Sequence, residues 1–563
     1  AYDFSFPAFS SAGSAVMPIT FGADNGFLLS SNTVAAQQLR GILVAAGVPL
    51  GSSAAAARAP VNKFWGEFGG GDKKSVRETV RAVVGMEGEF DAAGRKVNWD
   101  WYGQYGKTTG TITNYGQPNK AKLAQSVDAV LVNGQVVCRD VAARAAGCVP
   151  WDLINGPSQA AVAWAYADGT VEQKVEQVVL AGNLGADLFD LPAGPVALAL
   201  GGEYRREESS FVQDALGAAN LLYINQIGTR AGHYDVVEAY GEVRVPLLKD
   251  MPFAKDLSLE FAGRVGDYSS TGTVDQYRIA ATWAPVRDIR FRASQSTAVR
   301  APNIVELYSP QSRSFLNNVV DPCDRLIFAA ATPAQQAARR VTCAAAIPGW
   351  NPATFNSNIG PGRVSVPTLL GGNPDLEEER AKTYELGVVV EPRFAPGLKL
   401  SFDFFKYNVR GLIGTTDANS VLTLLCHNST TAYADNPYCG QISRDATGAV
   451  TEVRLINQNI SRVKVEGYDI AVAYGFDLPT AGRIDLRADA TNMYRNALQS
   501  QPGQPYVNLA GQTSIGAPKW RGQFTAQWAK GPVKLAWTAE YIGPMGVNPA
   551  LTSTASTAPC SIA

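Results

Sequence analysis

The sequence predicts an all-β fold: a transmembrane antiparallel β-barrel, with about 14 strands visible in this chain. Three observations carry the prediction. Polar and apolar residues alternate in runs many of which hold phase for about nine residues or more, longer than the roughly five or six typical of soluble strands and close to the 9–11 or so that a tilted strand needs to cross a bilayer. The polar side of these runs bears both signs of charge at successive positions, as a water-filled lumen allows. Aromatic residues gather at strand ends, at Trp99, Trp101, Trp283, Trp520, Trp528 and Tyr541, in the manner of interfacial girdles. A soluble sandwich alternates too, with its apolar side inward; run length and girdles separate the two.

In chain order, residues 1–74 read as a first long loop and the entry to the barrel. The Ala-rich stretch 33–46 predicts a short helix there. Strands are expected near 76–90 and 97–105, more faintly at 174–184, then at 196–205, 234–245 and 257–265. Within 275–283, Tyr277, Ile279, Ala281 and Trp283 share one face, and Gln276, Arg278 and Thr282 the other. Further runs follow at 288–294, 382–391, 398–409 and 463–474. Within 483–491, Ile484, Leu486, Ala488 and Ala490 oppose Arg483, Asp485, Arg487 and Asp489. The runs 520–528 and 533–541 complete the set. In 463–474 the apolar positions slip from Val463 and Val465 to Tyr468, Ile470 and Val472, which a β-bulge at Gly467 explains.

The connections support a barrel. Some are short, such as Pro285-Val286-Arg287 and Lys530-Gly531; others, at 106–173, 300–381 and 410–450, are very long. Outer-membrane barrels pair short periplasmic turns with long outer loops, and compact soluble domains rarely carry loops of that length. Residues 75–543 therefore form strands and outer loops, and 544–563 a truncated loop. The Ala-rich stretch 333–346 predicts a helix inside one loop.

Composition excludes several function classes. The 563 residues hold 49 Lys+Arg and 50 Asp+Glu, a net charge of -1, which rules out a general nucleic-acid coat. Two histidines, His233 and His427, are too few for a multi-histidine metal centre. No stretch is long and apolar enough for a spanning helix, and the start at Ala1 shows no signal peptide. There is no nucleophile elbow, no HExxH and no Ser-His-Asp set, so no catalytic residue is assigned, and no metal or cofactor.

Six of the seven cysteines fall into three local pairs, Cys138 and Cys148, Cys323 and Cys343, Cys426 and Cys439, all in Pro/Asn/Asp-rich loops outside strand patterns. Such spacing points to loop-stapling disulfides in an oxidising compartment, each worth roughly 3 kcal/mol on the entropic model. Zinc is disfavoured, since there is no CxxC and His427 adjoins only one pair. Cys560 is left over. Pro302 in Arg300-Ala-Pro-Asn303 is expected simply to end a strand, and Glu377-Glu378-Glu379 to form a solvated turn. Asp321, Asp324 and Arg325 are expected to scaffold their stapled loop. Gly69-Gly70-Gly71 lacks the strand–helix context of a phosphate loop.

Two segments resemble a known family. Residues 291–308 (FRASQSTAVRAPNIVELY) and 371–388 (GGNPDLEEERAKTYELGV) resemble mid-barrel motifs of TonB-dependent outer-membrane receptors. Residues 465–470 (VEGYDI) and 518–521 (PKWR) look like later strand starts of the same family, and the Cys-bearing loops like those of its large-loop proteobacterial members. The resemblance implies a barrel of the roughly 22-strand receptor type with a plugged lumen. It implies TonB-energised uptake of a scarce large nutrient (a siderophore, cobalamin, oligosaccharide or peptide) across the bacterial outer membrane. The implied partners are outer-membrane lipid, the TonB complex acting through a plug, and a small-molecule or oligomeric nutrient. Neither a plug domain, a TonB box nor a terminal aromatic strand is found in this sequence, which predicts the middle portion of a barrel. Arg278, Arg290, Arg292, Arg483, Asp485, Arg487 and Asp489 are expected to face the lumen, where mixed charges suit a plug or a polar solute. The competing expectation is a secreted soluble all-β enzyme or adhesin.

Overall fold

Among the described residues, fourteen strands of 10 to 26 residues dominate. They are β1 (Lys73–Ala92), β2 (Arg95–Pro118), β3 (Tyr166–Leu191), β4 (Gly194–Gln213), β5 (Arg230–Met251), β6 (Ala254–Tyr268), β7 (Gly272–Val286), β8 (Ile289–Arg300), β9 (Glu379–Val390), β10 (Leu398–Gly414), β11 (Gln458–Leu478), β12 (Gly482–Gln499), β13 (Trp520–Lys530) and β14 (Val533–Ile542). Each pairs with its neighbours in sequence, and the short strand Tyr2–Phe4 pairs with β1. The predicted alternating runs all fall on these strands, with only Asp288 and Glu391 just outside β8 and β9. This computed structural model describes residues 2–4, 9–10, 19–60, 64–68, 72–223, 228–360, 365–502, 504–513 and 517–546. Cys560 and Gly69-Gly70-Gly71 lie outside the described residues. No described helix is long and apolar enough to cross a membrane.

The strands run further than alternation alone indicates. β2 continues to Pro118, β3 starts at Tyr166, and β10 continues to Gly414. Among the described residues, seven hairpins close within a few residues, from Ala92 to Arg95 through Leu478 to Gly482 and Lys530 to Val533. Tight closure needs special backbone. Gly397 enters β10 at φ +88°, where a Cβ would stand 2.1 Å from the Gly475 carbonyl oxygen of β11, so only glycine fits.

Contacts divide the chain into two units, residues 1–81, 106–176 and 208–232, and residues 82–105, 177–207 and 233–563. In the first, the Ala-rich stretch forms the helix Val34–Ala45. A core of Phe68, Leu123, Val127 and Trp151 holds the loop after β2, with the Phe68 and Trp151 rings stacked at 5.4 Å. Arg139 joins Asp24 (2.6 Å) and Asp128 (3.0 Å), and Arg58 reaches Asp128 at 2.8 Å.

In the second unit the register from β5 to β14 fixes which side chains share a face. Ile279 stands opposite Phe261 and Gln295, Trp283 opposite Leu257 and Phe291, and Phe291 opposite Val388. The row continues through Phe402, Ile470 and Ala490 on adjacent strands, and one step along the same face Ala488 stands opposite Phe524. These apolar side chains are not tucked against a second sheet: Ile279 is 48% exposed, Leu386 57% and Trp537 62%. At the short-turn end, Trp283 Nε1 donates to the Phe253 carbonyl (2.9 Å) and Trp528 Nε1 to the Ala481 carbonyl (2.6 Å).

The predicted bulge at Gly467 needs correcting. β11 pairs with β10 without a slip there, Gly467 opposite Phe405 and Val465 opposite Tyr407. The extra residue is Tyr494 on β12, between Arg495 opposite Glu466 and Met493 opposite Gly467. What changes along β11 is its surroundings: the side bearing Tyr474, Val472, Ile470 and Tyr468 continues as Glu466, Lys464 and Arg462. The hydrophobic pattern inverts while the pleat stays in phase.

The two longest connections of this unit, 301–378 and 415–457, fold together. Ser312–Leu316 pairs with Val366–Gly371, which lies parallel to Val450–Ile456, itself paired with Ile442–Arg444. Val366, Val421, Leu422, Val453 and Leu455 fill the core beneath. The helix Pro333–Ala346 starts on a Thr332 capping box with Pro333 in its first turn, a strong start signal.

Candidate functional site

The face opposite the apolar row collects the charges. Alternation along β7 places Arg278 and Thr282 there, and the register carries the face through Arg292, Glu385, Asp403, Asp469 and Asp489. Arg278, Arg290, Arg292, Arg483, Asp485, Arg487 and Asp489 all fall on this one face. Arg278 pairs with Glu260 at 2.9 Å. Arg292 grips both carboxylate oxygens of Asp403, at 2.6 and 2.5 Å. Arg483 and Arg487 each bind the aspartate two residues on, at 2.9 and 2.7 Å. Arg290, opposite Val389, makes no ion pair among the described residues.

The Arg292–Asp403 pair crosses the intervening strand β9 above Gly387. A Cβ at that position would meet Asp403 Oδ1 at 2.0 Å and Arg292 Nε at 2.8 Å. Missing side-chain volume therefore lets a bidentate pair form between strands that are not neighbours. A cavity of about 480 Å³ lies over Glu260, Arg278, Arg292, Glu385, Asp403 and Asp469. Its walls offer paired charges and hydroxyls, among them Ser294, which donates to Glu385 at 3.2 Å.

The second feature is the packed loop module. Cys323–Cys343 and Cys426–Cys439 are disulfides here, as is Cys138–Cys148 in the first unit. Cys138 is not outside strand structure, as the sequence suggests; it ends the short surface strand Gln135–Cys138. His427 adjoins Cys426 in sequence but packs on the other bridge, its ring 3.6 Å from Cys343 Sγ and 3.7 Å from Cys323 Sγ. These three residues have metal-like spacing. Both sulfurs are already bonded to each other, so the group is packing rather than a thiolate site.

A fully buried ion pair lies beside it. Arg444 donates to both oxygens of Asp321 at 2.7 and 2.9 Å. Burial alone would raise the Asp321 carboxyl, but the Arg444 guanidinium and the Cys323 backbone N–H outweigh it and hold the group below the usual carboxylate range. His427 is lowered to about 3 by burial and by the facing Arg444 cation. Arg444 Nη2 lies 3.4 Å from His427 Nε2, and Nδ1 lies 3.1 Å from Thr342 Oγ1. A neutral imidazole with its hydrogen on Nδ1 satisfies both contacts. Asp321 and Asp324 thus scaffold the module, Asp324 by capping the helix Arg325–Ala329.

Two motif expectations change. Pro302 does end strand pairing, but Arg300 beside it anchors the loop, bound to Glu306 (3.0 Å) and Glu379 (2.5 Å). Asn303 and Glu306 form a capping box on Ile304–Tyr308. Glu379 is accordingly buried and not part of a solvated turn. Sequence reasoning missed Asp403 and Glu379 as anchors. Asp403 was detectable, as the single acid between Phe402 and Phe404 in an alternating run; Glu379 was hidden within a run of three glutamates.

The sequence model of the family "TonB dependent receptor-like, beta-barrel" matches residues 24–557. Among solved structures the chain is similar to a mutant of the ferric enterobactin receptor PfeA from Pseudomonas aeruginosa, at 15% identity and a TM-score of 0.48, covering 84% of this chain and 49% of that one. It is similar to the siderophore receptor PirA from Acinetobacter baumannii at 16% identity and a TM-score of 0.43, covering 83% and 52%. It is also similar to a structure of the RagAB peptide transporter at 11% identity and a TM-score of 0.43, covering 87% and 50%. The chain thus spans about half the length of these structures. No curated protein matches it.

Proposed function

The chain belongs to the TonB-dependent receptor β-barrel family, and we propose that it serves as the membrane-spanning, ligand-capturing part of an outer-membrane receptor for nutrient uptake. The observation that carries the reading is the two-sided sheet. One side is apolar and exposed, with the Trp283 and Trp528 indoles at its short-turn end; the other holds paired charges. On β11 the apolar side runs from Tyr468 to Phe476, about 26 Å at roughly 3.3 Å per residue. At a tilt of about 40° that is about 20 Å along the membrane normal, near the roughly 25 Å band of outer-membrane barrels. Exposed side chains of this kind are stable against acyl chains and costly in water.

In this reading, residues 75–543 supply the strands and outer loops, and residues 1–74 the first loop and barrel entry. Arg278, Arg290, Arg292, Arg483, Asp485, Arg487 and Asp489 face the lumen, where salt-bridged side chains present hydrogen-bonding groups to a plug or a polar solute. The stapled loop modules gather a scarce large nutrient, and a plug coupled to the TonB complex gates its passage. The role is transport, not catalysis. The test is heat-modifiable migration of the full-length protein in detergent gels, with growth of a deletion strain on iron chelates, cobalamin, oligosaccharides and peptides. A boiling shift and loss of growth on one nutrient class are expected. A protein that dissolves without detergent and shows no shift overturns the reading.

A further inference from the structure

Above the apolar row, on the same side of three adjacent strands, the structure gathers cations. Arg380 on β9 stands opposite Arg410 on β10, which stands opposite Arg462 on β11. One step closer to the apolar row, Lys382 stands opposite Asn408 and Asn408 opposite Lys464. A further step brings Lys406 opposite Glu466. Below them come Tyr384, Phe404 and Tyr468, the first aromatics of the apolar side. On one flank β8 sets Val299 opposite Arg380 and Thr297 opposite Lys382, and β7 beyond it carries Asp275; on the other flank β12 adds Arg495 opposite Glu466, so the cations concentrate on adjacent strands around β9 to β11 and do not ring the sheet.

Their local partners are few. Arg380 reaches Glu378 (2.6 Å) and Asp275 (3.4 Å), and Lys406 reaches Glu466 (3.3 Å). Among the described residues Lys382, Arg410 and Arg462 make no ion pair, and Lys464 lies over the Tyr506 ring at 4.2 Å. Like charges directly opposite one another across paired strands destabilise a sheet, and here three arginines stand in one row. An anion seated between them removes that repulsion. Adjacent strands lie about 4.8 Å apart, so the row spans about 10 Å, enough for more than one phosphate group.

Resting on the receptor reading above, we propose that Lys382, Arg410, Arg462 and Lys464 form a docking surface for a phosphate-bearing lipid of the outer leaflet. Its phosphates bind the cation rows, and its acyl chains lie along Tyr384, Phe404 and Tyr468. Charge complementarity and the direct continuity of the rows with the apolar side favour a lipid over a soluble anion, which has no use for the aromatic floor.

The test is native mass spectrometry of the full-length protein in uncharged detergent. It is titrated with a bis-phosphorylated glycolipid, the same lipid without phosphates, phosphatidylcholine and inorganic phosphate. The phosphorylated lipid should be retained about tenfold or more over the other three. Arg410→Gln with Arg462→Gln should remove that preference, and Lys382→Gln with Lys464→Gln should do the same if the first pair fails to fold. Lys249→Gln, at the short-turn end, should leave it intact. Equal retention by parent and variants overturns the inference, as does inorganic phosphate binding as tightly as the lipid. A parent that shows no boiling shift overturns the barrel reading itself; a parent that shifts but ignores lipid phosphates overturns this inference alone.

Discussion

Replacing Ile279 by arginine tests the assignment of faces most directly. Ile279 lies four residues from Trp283 on the same face, and Trp283 marks the short-turn end of the apolar row. At about 3.3 Å per residue and a tilt near 40°, it sits roughly 10 Å along the normal from that indole, near the middle of a band about 25 Å tall. A guanidinium there faces acyl chains, and the expected cost is about 2–4 kcal/mol. The adjacent residue is the control. Arg278→Ile removes a pair with Glu260 whose arginine side chain is 45% exposed, a contact worth roughly 0.2–1 kcal/mol. Urea unfolding of the full-length protein refolded into vesicles, followed by tryptophan fluorescence, measures both. Equal losses, or a larger loss for Arg278→Ile, would refute the facing of these strands.

Three further outcomes are expected. Arg444→Ala leaves Asp321 buried without its partner and should destabilise the loop module by about 3–5 kcal/mol, read as faster proteolysis within 301–378; replacing both by leucine should cost far less. Cys323→Ser with Cys343→Ser opens a bridge of sequence separation 20 and should cost about 3 kcal/mol, seen as faster amide exchange in the helix Pro333–Ala346 with the strands unaffected. Acidification should loosen the same module. His427 titrates near 3 when folded and at about 6.5 when unfolded, so below pH 6.5 the unfolded form binds the extra proton and stability falls, by about 2 kcal/mol on reaching pH 5. The depressed Asp321 adds a loss only at lower pH, as its own carboxyl protonates. His427→Phe should remove the decline between pH 6.5 and 5; an unchanged profile would refute the assignment.

The strands were legible because each obeys one rule over many residues. Ile279 and Arg278 lie on opposite faces whatever the neighbours do, since a pleat has period two. The rule failed where surroundings changed within one strand: Val463 and Val465 suggested a slipped backbone, whereas β11 keeps its phase and its two environments exchange. Strand length was underestimated for the same reason, since β2 and β10 continue beyond the point where alternation fades. The loops were legible only through their cysteines and their two Ala-rich helices. Local spacing suggested the pairs, but nothing in it indicates that His427 rests on the distant Cys323–Cys343 bridge or that Asp321 pairs with Arg444, 123 residues on. Such partners are set by how two loops fold on each other, and the order of residues carries no period that records it.

The parallel pairing of Val366–Gly371 with Val450–Ile456 has an evolutionary consequence. A strand from one connection completes a sheet begun by another, so neither connection is a self-contained cassette. Transplanting one alone into a related scaffold would expose half a hydrophobic interior and strand a charge without its counterion. Recognition in this protein should therefore diversify by coordinated change in both segments, and chimeras that exchange the two as a set should fold where single exchanges aggregate.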